Sequence, residues 1–462
     1  MRIQVEVLVS SRGGRSRKVI HHIERDMEGG GPEERIGLGL GDMKAVVAGL
    51  QRVVVDEQAR ELIELRSRCA SCRRVLGHKG ASGIVYRTPF GKFELASPRL
   101  YSKCACGHRA SESISFSPLG MAIPSRSHPD LIYLQSRWAS HVSYNRSVSL
   151  LADVLPLDAV PAASSVKGHV RRLGGGMARD TYEQAEQFFD SQPLQFPDPP
   201  DEPAEQALEI DAGYVRGSPE RCAGRRTFAI ITARLKKSQT PAAYDAFVNE
   251  ITRAPLARFH HFLHRAGVGI DEPVAIIGDG GEDVAYPSYL PWRPVTRILD
   301  WFHIAMRFEH LLQRARGLHK EVPERSECLV KQLESAKWRL WHGQSDRSIN
   351  RLREVQEDTA EIFHQRVSEM IRYLELNRDR LICYCSRYRS QLAISTSLAE
   401  SAVNSVIGER FKKQRQMRWT LEGANSLLHL RVADLNGVLR DYVGAHLKRH
   451  TAANDSSFAA AA

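Results

Sequence analysis

The chain has 462 residues, of which 65 are Lys or Arg and 54 are Asp or Glu, so its formal net charge is +11. This length predicts two to four domains, and the basic balance favours a polyanion, above all nucleic acid, as the partner. No apolar run is long enough to cross a bilayer and the N-terminus lacks a signal-peptide core, so we expect a cytoplasmic protein with no membrane partner. In that compartment the eight cysteines are expected to be thiols or metal ligands rather than disulfides.

Residues 1–68 predict a strand followed by a helix. The segment IQVEVLV alternates apolar and polar residues, and from residue 42 to about residue 66 apolar residues recur at near-helical spacing. Packing on the next module is the simpler interpretation of this amphipathic helix, and self-association is the alternative.

Residues 69–110 contain cysteines at metal-ligand spacing. The four cysteines form two close pairs: Cys69 with Cys72, and Cys104 with Cys106. The pairs bracket two strand-like segments, GIVYRT and KFELAS, as in a zinc ribbon whose four thiolates hold a structural zinc ion. The one-residue gap in the second pair is tighter than usual. His78 or His108 as a substitute ligand, and four reduced thiols without metal, therefore remain alternatives.

Residues 128–178 predict a helix-turn-helix domain that binds DNA. Two amphipathic helices, at 131–142 and 144–155, precede a third that begins at SSVKGHVRRL with Ser164 as its cap. The basic side chains of the third helix are Lys167, His169, Arg171 and Arg172. A basic last helix suits insertion into a major groove, whereas a plain three-helix bundle is the alternative.

Prolines mark the clearest domain boundary. Five of them fall between Ser191 and Pro203, so residues 190–205 are predicted to form a stiff linker. We expect one further domain at residues 206–445 and a disordered tail at 446–462.

Past the linker, apolar segments predict a sheet that carries two aspartates. Residues 207–215 read as a strand with Asp211 near its middle, 226–235 as its antiparallel neighbour and 242–266 as a helix. VAIIGDGG then leaves Asp279 at the carboxyl end of another strand, and 297–304 reads as a further strand that leads into a helix. Alone, Asp-Gly after a strand is more often a turn than a catalytic site. The order of elements, however, is typical of an RNase H-like α/β sheet, in which the two aspartates can be adjacent.

Two adjacent aspartates repel each other unless cations bridge them, and their hard oxygen ligands suit two Mg²⁺ or Mn²⁺ ions. Such ions can activate water and stabilise the leaving oxygen of a phosphodiester. A third carboxylate is normally needed. Glu309 lies 30 residues beyond Asp279, and Glu400 lies 121 residues beyond it, after a charged, helix-forming stretch at about 315–390 that reads as an insertion. The spacing leaves both glutamates open.

The segment STSLAESAVNSVIGERFKKQRQMRW predicts a single helix with Glu400 and Asn404 one turn apart on one face. Its basic end consists of Arg410, Lys412, Lys413, Arg415 and Arg418. This end is suited to following a DNA backbone, although a solvated surface helix is the other interpretation of the charges.

These stretches together resemble the DDE transposases of bacterial insertion sequences, most closely the ISKra-type group, with ISL-like relatives as the nearest alternative. The matching stretches run from about residue 38 to 440: the CxxC ribbon with its RTPFG hairpin, EIDAGYV, IIGDGG, ILDWFHI, and LAESAVN followed by FKKQRQMRWTLEGANSLLHLR. The CxC pair departs from the usual spacing of the ribbon.

The resemblance implies Asp211, Asp279 and Glu400 as the catalytic ligands of two Mg²⁺ ions, which selects Glu400 over Glu309. It implies an RNase H-like core with a helical insertion, preceded by the zinc ribbon and the helix-turn-helix. The expected protein is a DNA transposase that binds double-stranded element ends, cleaves and joins DNA, and works as a homodimer or larger assembly. A non-catalytic DNA-binding regulator and a structure-selective nuclease on the same fold are the alternatives.

Three further polar residues near the proposed site are expected to orient its ligands rather than to bind metal: Asp300, His303 and Asn404. Direct contact of Asp300 or His303 with metal or DNA is the alternative. Trp301, between them, is expected to pack in the core.

Overall fold

The structure is a computed structural model that describes residues 1–11, 14–25, 36–69, 72–101, 115–123, 125–157, 162–190, 205–222, 224, 226–236, 241–252, 254–281, 294–357, 361–396, 402–412 and 417–449. The chain divides into two compact units. One comprises Met1–Leu173 with Gly437–Ala462, and the other comprises Gly174–Asn436. Among the helices within these ranges, none has the length and apolar character needed to cross a bilayer.

The first unit begins with two small antiparallel sheets separated by a helix. Its elements in chain order are β1 (Arg2–Ser11), β2 (Gly14–Glu24), α1 (Leu40–Arg66), β3 (Gly77–Thr88), β4 (Gly91–Tyr101) and β5 (Ser115–Phe116). The predicted first strand and helix are present, and β1 pairs with β2. One apolar cluster joins α1 to the β3–β4 hairpin through Val55, Ile84, Phe93 and Leu95, so the helix packs on the next module.

Helices follow the second sheet: α2 (Pro118–Ala122), α3 (Pro129–His141), α4 (Tyr144–Val154) and α5 (Ala163–Asp190). The first two predicted helices, at 131–142 and 144–155, correspond to α3 and α4. The third differs from the prediction, because α5 is 28 residues long and continues into the second unit. Ala162 rather than Ser164 stands at its start, where its carbonyl accepts from the amide of Ser165 (2.8 Å).

A five-stranded mixed sheet forms the centre of the second unit. Its strands are β6 (Gln206–Arg216), β7 (Thr227–Lys236), β8 (Ala243–Val248), β9 (Val274–Gly278) and β10 (Val295–Leu299). They lie in the order β10-β9-β6-β7-β8. β6, β7 and β8 are antiparallel neighbours, whereas β9 is parallel to β6 and β10 is parallel to β9. The fold of this unit is therefore mixed α/β.

Two predicted segments are different in the structure. Residues 242–266, predicted as a helix, contain the edge strand β8 followed by α6 (Pro255–Arg265). The predicted strand at 297–304 ends at Leu299, because Asp300 accepts from the amide of Phe302 (2.8 Å) and starts helix α7 (Trp301–Gly317).

A layer of helices follows α7: α8 (Pro323–Trp341), α9 (Ser345–Glu357), α10 (Glu361–Leu376) and α11 (Tyr384–Arg389). The expectation of a helical stretch at about 315–390 is thus met. One core cluster joins these helices to the sheet, from Ile277 and Ile298 on the strands to Phe308, Leu333 and Val367 on the helices. Trp301 packs against this cluster, with its ring 4.8 Å from that of Trp341.

The end of the second unit is not the single helix predicted from residue 395 to 419. Val403–Lys412 form a π-helix, and Trp419 lies outside any helix, where it forms a parallel bridge with Gly217. The last helix of the unit, α12 (Leu421–Leu435), begins with Thr420, whose hydroxyl accepts from the amide of Gly423 (3.0 Å).

Helix α12 is tied to the edge strand β8. The side chain of Asn436 accepts from the amide of Tyr244 (2.9 Å) and donates to its carbonyl (2.8 Å), as a neighbouring strand would. Asn425 Oδ1 accepts from the amide of Val248 (3.4 Å). The amides of Tyr244 and Val248 are therefore bonded to side chains rather than to another strand.

A buried charged cluster lies between α6, β8 and α12. Arg258 donates from Nε and Nη2 to both carboxylate oxygens of Asp245 (2.7 and 2.6 Å), and from Nη1 to Nε2 of His429 (3.1 Å). His429 Nδ1 donates to the carbonyl of Asn425 (2.9 Å), which fixes the neutral tautomer of the ring. The sequence had not pointed to this cluster, whose members are up to 184 residues apart (429 − 245).

Candidate active site

Three aspartates lie at one level across three adjacent parallel strands: Asp211 within β6, and Asp279 and Asp300 directly after β9 and β10. The last register pair between β6 and β9 is Glu209 with Ile277. The last register pair between β9 and β10 is Gly278 with Leu299. Continuing this register by two residues in the first pair and one in the second places Asp211, Asp279 and Asp300 side by side. The carboxyl ends of parallel strands are where ligands collect in open α/β sheets.

Asp211 and Asp279 are both partly buried, and each is fixed by a local amide. Asp211 Oδ1 accepts from the amide of Ala212 (2.7 Å), and Asp279 Oδ1 accepts from the amide of Gly281 (2.8 Å). Burial and, second to it, the negative charge of Asp279 together raise the pKa of Asp211 to about 6. The two carboxylates therefore interact unfavourably, as the sequence analysis expected for this pair.

The turn after β9 holds Asp279 by its backbone. Gly280 has a φ of +81°, which favours glycine, and a Cβ atom there would lie 2.5 Å from Oδ1 of Asn377. The hydroxyl of Tyr373 on α10 donates to the carbonyl of Asp279 (2.9 Å). The position of Asp279 is thus determined by one helix of the predicted insertion.

Asp300 is fully buried, and its carboxylate is used within the fold. Besides capping α7, it accepts from the hydroxyl of Thr396 (2.5 Å), and its amide donates to the carbonyl of Gly278 (2.8 Å). Burial raises the pKa of its carboxyl group. His303 Nε2 lies 3.8 Å from Oδ2 of Asp300. These contacts suit the expected role of Asp300 and His303 in orienting the site, and that role stays a prediction.

An ion pair lies below Asp211 on the same face of β6. Glu209 faces its register partner Arg234 on β7, with Oε2 and Nη1 3.3 Å apart and both residues buried. The guanidinium group of Arg234 compensates the negative charge of Glu209, which is two residues before Asp211 on β6. The sequence contained one signal for this pair, a charged residue of opposite sign inside each of two apolar strands, but did not reveal their register.

The predicted third ligand, Glu400, lies outside the described residues. Asn404 is exposed on the π-helix, and the expectation that it shares a helical face with Glu400 stays a prediction. Glu309 lies on α7 nine residues after Asp300, about 13 Å along the helix, and forms an ion pair with Arg316 (2.9 Å). This position argues against Glu309 as the partner of the two aspartates.

Within the described residues, no three His, Cys, Asp or Glu side chains converge closely enough to hold one metal ion. Asp300 directs its carboxylate to Phe302 and Thr396, which leaves Asp211 and Asp279 as the described donors. These two adjacent carboxylates repel each other and offer hard oxygen atoms. They could therefore supply some, but not all, of the ligands of a Mg²⁺ or Mn²⁺ ion.

The predicted zinc site is described only in part. Cys69 is buried and Cys72 is exposed, and they precede β3 in a turn in which the amide of Arg73 donates to the carbonyl of Cys69 (3.0 Å). Gly77 pairs with Tyr101, so the chain enters β3 and leaves β4 at the same end of the hairpin. Cys104 and Cys106, like His108, lie outside the described residues, and structural zinc stays a prediction.

Two of the predicted DNA contacts are wrong, because their side chains are buried. His169 bonds to Gln135 (2.6 Å), and burial lowers the pKa of its ring to about 4. Arg410 lies with its guanidinium carbon 5.0 Å from the ring centre of Trp419. A periodic charge pattern alone does not tell which face of a helix is covered.

The other predicted DNA contacts divide into two groups. Lys167, Arg171, Arg172 and Arg418 are exposed. Lys413 and Arg415 lie outside the described residues, as does the side chain of Lys412.

Comparison with protein-family models and with curated proteins returned no match for this chain. The function of the site therefore has to be argued from its own chemistry.

Proposed function

We propose that this chain is a metal-dependent DNA strand transferase, a DDE transposase built on an RNase H-like core. The observation that carries the proposal is the register of β6 and β9, which puts Asp211 beside Asp279. The strand order supports it: three antiparallel strands, then two parallel ones added on the other side of the first, is the arrangement of an RNase H-like sheet. The helical stretch after β10 corresponds to the proposed insertion before Glu400.

Asp211, Asp279 and Glu400 would hold two Mg²⁺ or Mn²⁺ ions. Bound there, the ions would supply Lewis-acid activation of a water or a 3′-hydroxyl and stabilisation of the leaving oxygen. Cleavage and joining are the same in-line displacement, in which a new P–O bond forms as the old P–O bond breaks. One site therefore suffices for both steps.

The residues around the carboxylates would keep this site in shape. The amide of Gly281 and the hydroxyl of Tyr373 fix the Asp279 segment, while Thr396 and the start of α7 fix Asp300. Asp300 in turn faces His303. Such supporting contacts limit the movement of the ligands, and the geometry of a two-metal site depends on them.

Element ends would be recognised by the N-terminal part of the chain. The exposed side chains Lys167 and Arg171 are one turn apart on α5 and suit contact with DNA phosphates. We include the zinc ribbon at residues 69–110 and pairing of ends by a homodimer or larger assembly in the proposal. The protein would act on double-stranded DNA in the cytoplasm.

A strand-transfer assay tests the proposal. Wild-type protein with Mg²⁺ should cleave and join DNA that carries the element ends, and not a scrambled sequence. Asp279→Asn and Glu400→Gln should abolish both steps, whereas Glu309→Gln, the matched control, should retain them. Cleavage without joining would indicate a nuclease instead, and end binding without metal-dependent cleavage would indicate a regulator. If Asp279→Asn still cleaves, the assignment of the site is wrong.

A further inference from the structure

A cationic groove of about 470 Å³ lies between helices α7 and α10 of the second unit. Helix α7 contributes Arg307, His310 and Arg314 to its wall, and α10 contributes Arg366 and Glu369. Three arginines therefore face one glutamate, which gives the groove an excess of positive charge. We call it the α7–α10 groove.

The α7–α10 groove lies along the helix that starts at Asp300 of the proposed active site. Asp300, His303, Arg307, His310 and Arg314 are spaced alternately by three and four residues, so they follow one face of α7. The guanidinium carbon of Arg307 lies 4.0 Å from the ring centre of Tyr373, the residue whose hydroxyl binds the carbonyl of Asp279. The line of basic side chains thus leads away from the carboxylates along the helix.

The charge of Arg314 is not compensated within the fold. Arg314 is exposed and forms no ion pair with any residue in the described ranges. Its neighbour Arg316 differs, because it pairs with Glu309 (2.9 Å) and lies 3.9 Å from Glu334. In the groove, Arg366 pairs with Glu369 (2.9 Å). Arg314 therefore contributes a free guanidinium group to the wall.

We propose that the α7–α10 groove binds the phosphate backbone of a DNA strand that continues from the phosphodiester held at Asp211 and Asp279. The inference rests on the proposed function, since it assigns the path of the substrate from that site. Guanidinium groups suit phosphate oxygens because they donate two parallel hydrogen bonds. Arg307 and Arg314 are separated by about 10 Å along the helix, which corresponds to an axial rise of about three nucleotides in a duplex, at about 3.4 Å each.

Binding of a fluorescein-labelled DNA duplex to the full chain, measured by anisotropy in EDTA over a salt series, tests this proposal. Arg314→Ala should weaken binding by about threefold to tenfold and reduce the slope of log K against log salt by about one. The double variant Arg307→Ala/Arg314→Ala should reduce the slope by about two. Arg316→Ala, the same change on the same helix outside the groove, should bind like wild type.

The proposal is overturned if Arg314→Ala keeps the wild-type affinity and slope, or if Arg316→Ala loses as much. It is also overturned if polyglutamate displaces the probe as effectively as unlabelled DNA, since the groove would then prefer an acidic protein. Because the assay contains no divalent ion, it reports on the groove independently of catalysis. Asp279→Asn should bind the probe at least as tightly as wild type, so failure of the groove and failure of the proposed function give different results.

Discussion

Asp211, inside β6, and Asp279, directly after the parallel strand β9, occupy neighbouring positions across the sheet, and the charge of Asp279 helps to raise the pKa of Asp211. The fold holds these two carboxylates together although they repel each other. Two adjacent carboxylates lower the stability of the fold until a proton or a cation neutralises one of them.

Asp211→Asn should therefore stabilise the protein when no metal is present. Removal of one of two repelling charges is expected to raise the free energy of unfolding by about 1 kcal/mol at neutral pH, and the amide oxygen can still accept from Ala212. Thermal melting in EDTA measures the change. Added Mg²⁺ should raise the melting temperature of wild type but not of the variant.

The control for this experiment is Asp271→Asn, which removes an exposed carboxylate from the same unit. It should leave the melting temperature and its dependence on Mg²⁺ unchanged. An Asp211→Asn protein that melts at or below the wild-type temperature in EDTA would contradict the unfavourable pairing.

Asp300→Ala should destabilise the protein by about 2–3 kcal/mol. It removes the acceptor at the start of α7, worth about 1 kcal/mol, and leaves the buried hydroxyl of Thr396 without its acceptor. Asp300→Asn should lose less, because its side-chain oxygen can still cap Phe302. Urea unfolding of the two variants measures the difference.

A double-mutant cycle with Thr396→Val checks that explanation. Asp300→Ala should cost less in the Thr396→Val background than in wild type, because the hydroxyl is then absent. Strictly additive effects of the two substitutions would show that the hydrogen bond between them contributes nothing.

The sequence allowed prediction of the sheet wherever apolar runs are long. β7 is buried at every position except its two ends, and the strands that carry Asp211 and precede Asp279 are similarly apolar. The edge strand AYDAFV was missed, because its alanines and aspartate are compatible with a helix and only pairing with β7 makes it a strand. The end of β10 was missed for a different reason: the apolar run continues through WFHI, and the capping contact of Asp300 ends the strand.

Residues of the candidate site were predictable only where an apolar strand marked them. Asp211 lies inside such a strand and Asp279 directly follows one, but Tyr373 and Thr396 reach the site from 94 and 96 residues beyond their partners. Nothing local in the sequence marks a contact of that range. The burial of His169 and Arg410 could not be predicted from the sequence either, because it depends on which neighbouring element covers each helix.

Two buried histidines of the second unit should contribute less to its stability as the pH falls from about 6.5 to about 4, whereas the raised pKa of Asp211 acts in the opposite direction. Burial, reinforced by Arg258, lowers the pKa of His429 to about 4, and burial likewise lowers the pKa of His261 to about 4. Between these values and the ordinary 6.5, the unfolded chain binds protons that the folded chain does not, so this contribution to the free energy of unfolding decreases as the pH falls. For His429 the loss is expected to reach about 2–3 kcal/mol.

His429→Gln tests this prediction, because an amide oxygen can accept from Arg258 and does not titrate. Its free energy of unfolding in urea should fall less than that of wild type between pH 7 and about pH 4.5. The exposed His319→Gln serves as the control and should follow wild type. Equal slopes for all three proteins would exclude His429 as the source of the effect.

Gly280→Ala should destabilise the turn that carries Asp279. The positive φ of Gly280 and the 2.5 Å approach of its virtual Cβ to Asn377 both oppose a side chain, and we expect a loss of about 2 kcal/mol or more. Addition of Asn377→Ala should recover part of the lost stability, because it removes the steric contact. The recovery should be incomplete, because the strain of a positive φ at residue 280 remains. Gly317→Ala, at the open end of α7, should be neutral or stabilising when measured by thermal melting.

The contacts of Asn425 and Asn436 with β8 limit how copies of this protein can associate. An edge strand with free amides can template pairing with another chain, but here two of those amides are taken by side chains from α12. A second copy could not extend the sheet at Tyr244 or Val248 without first displacing the two asparagines. Pairing of copies on DNA is therefore not expected to extend the sheet at its β8 edge.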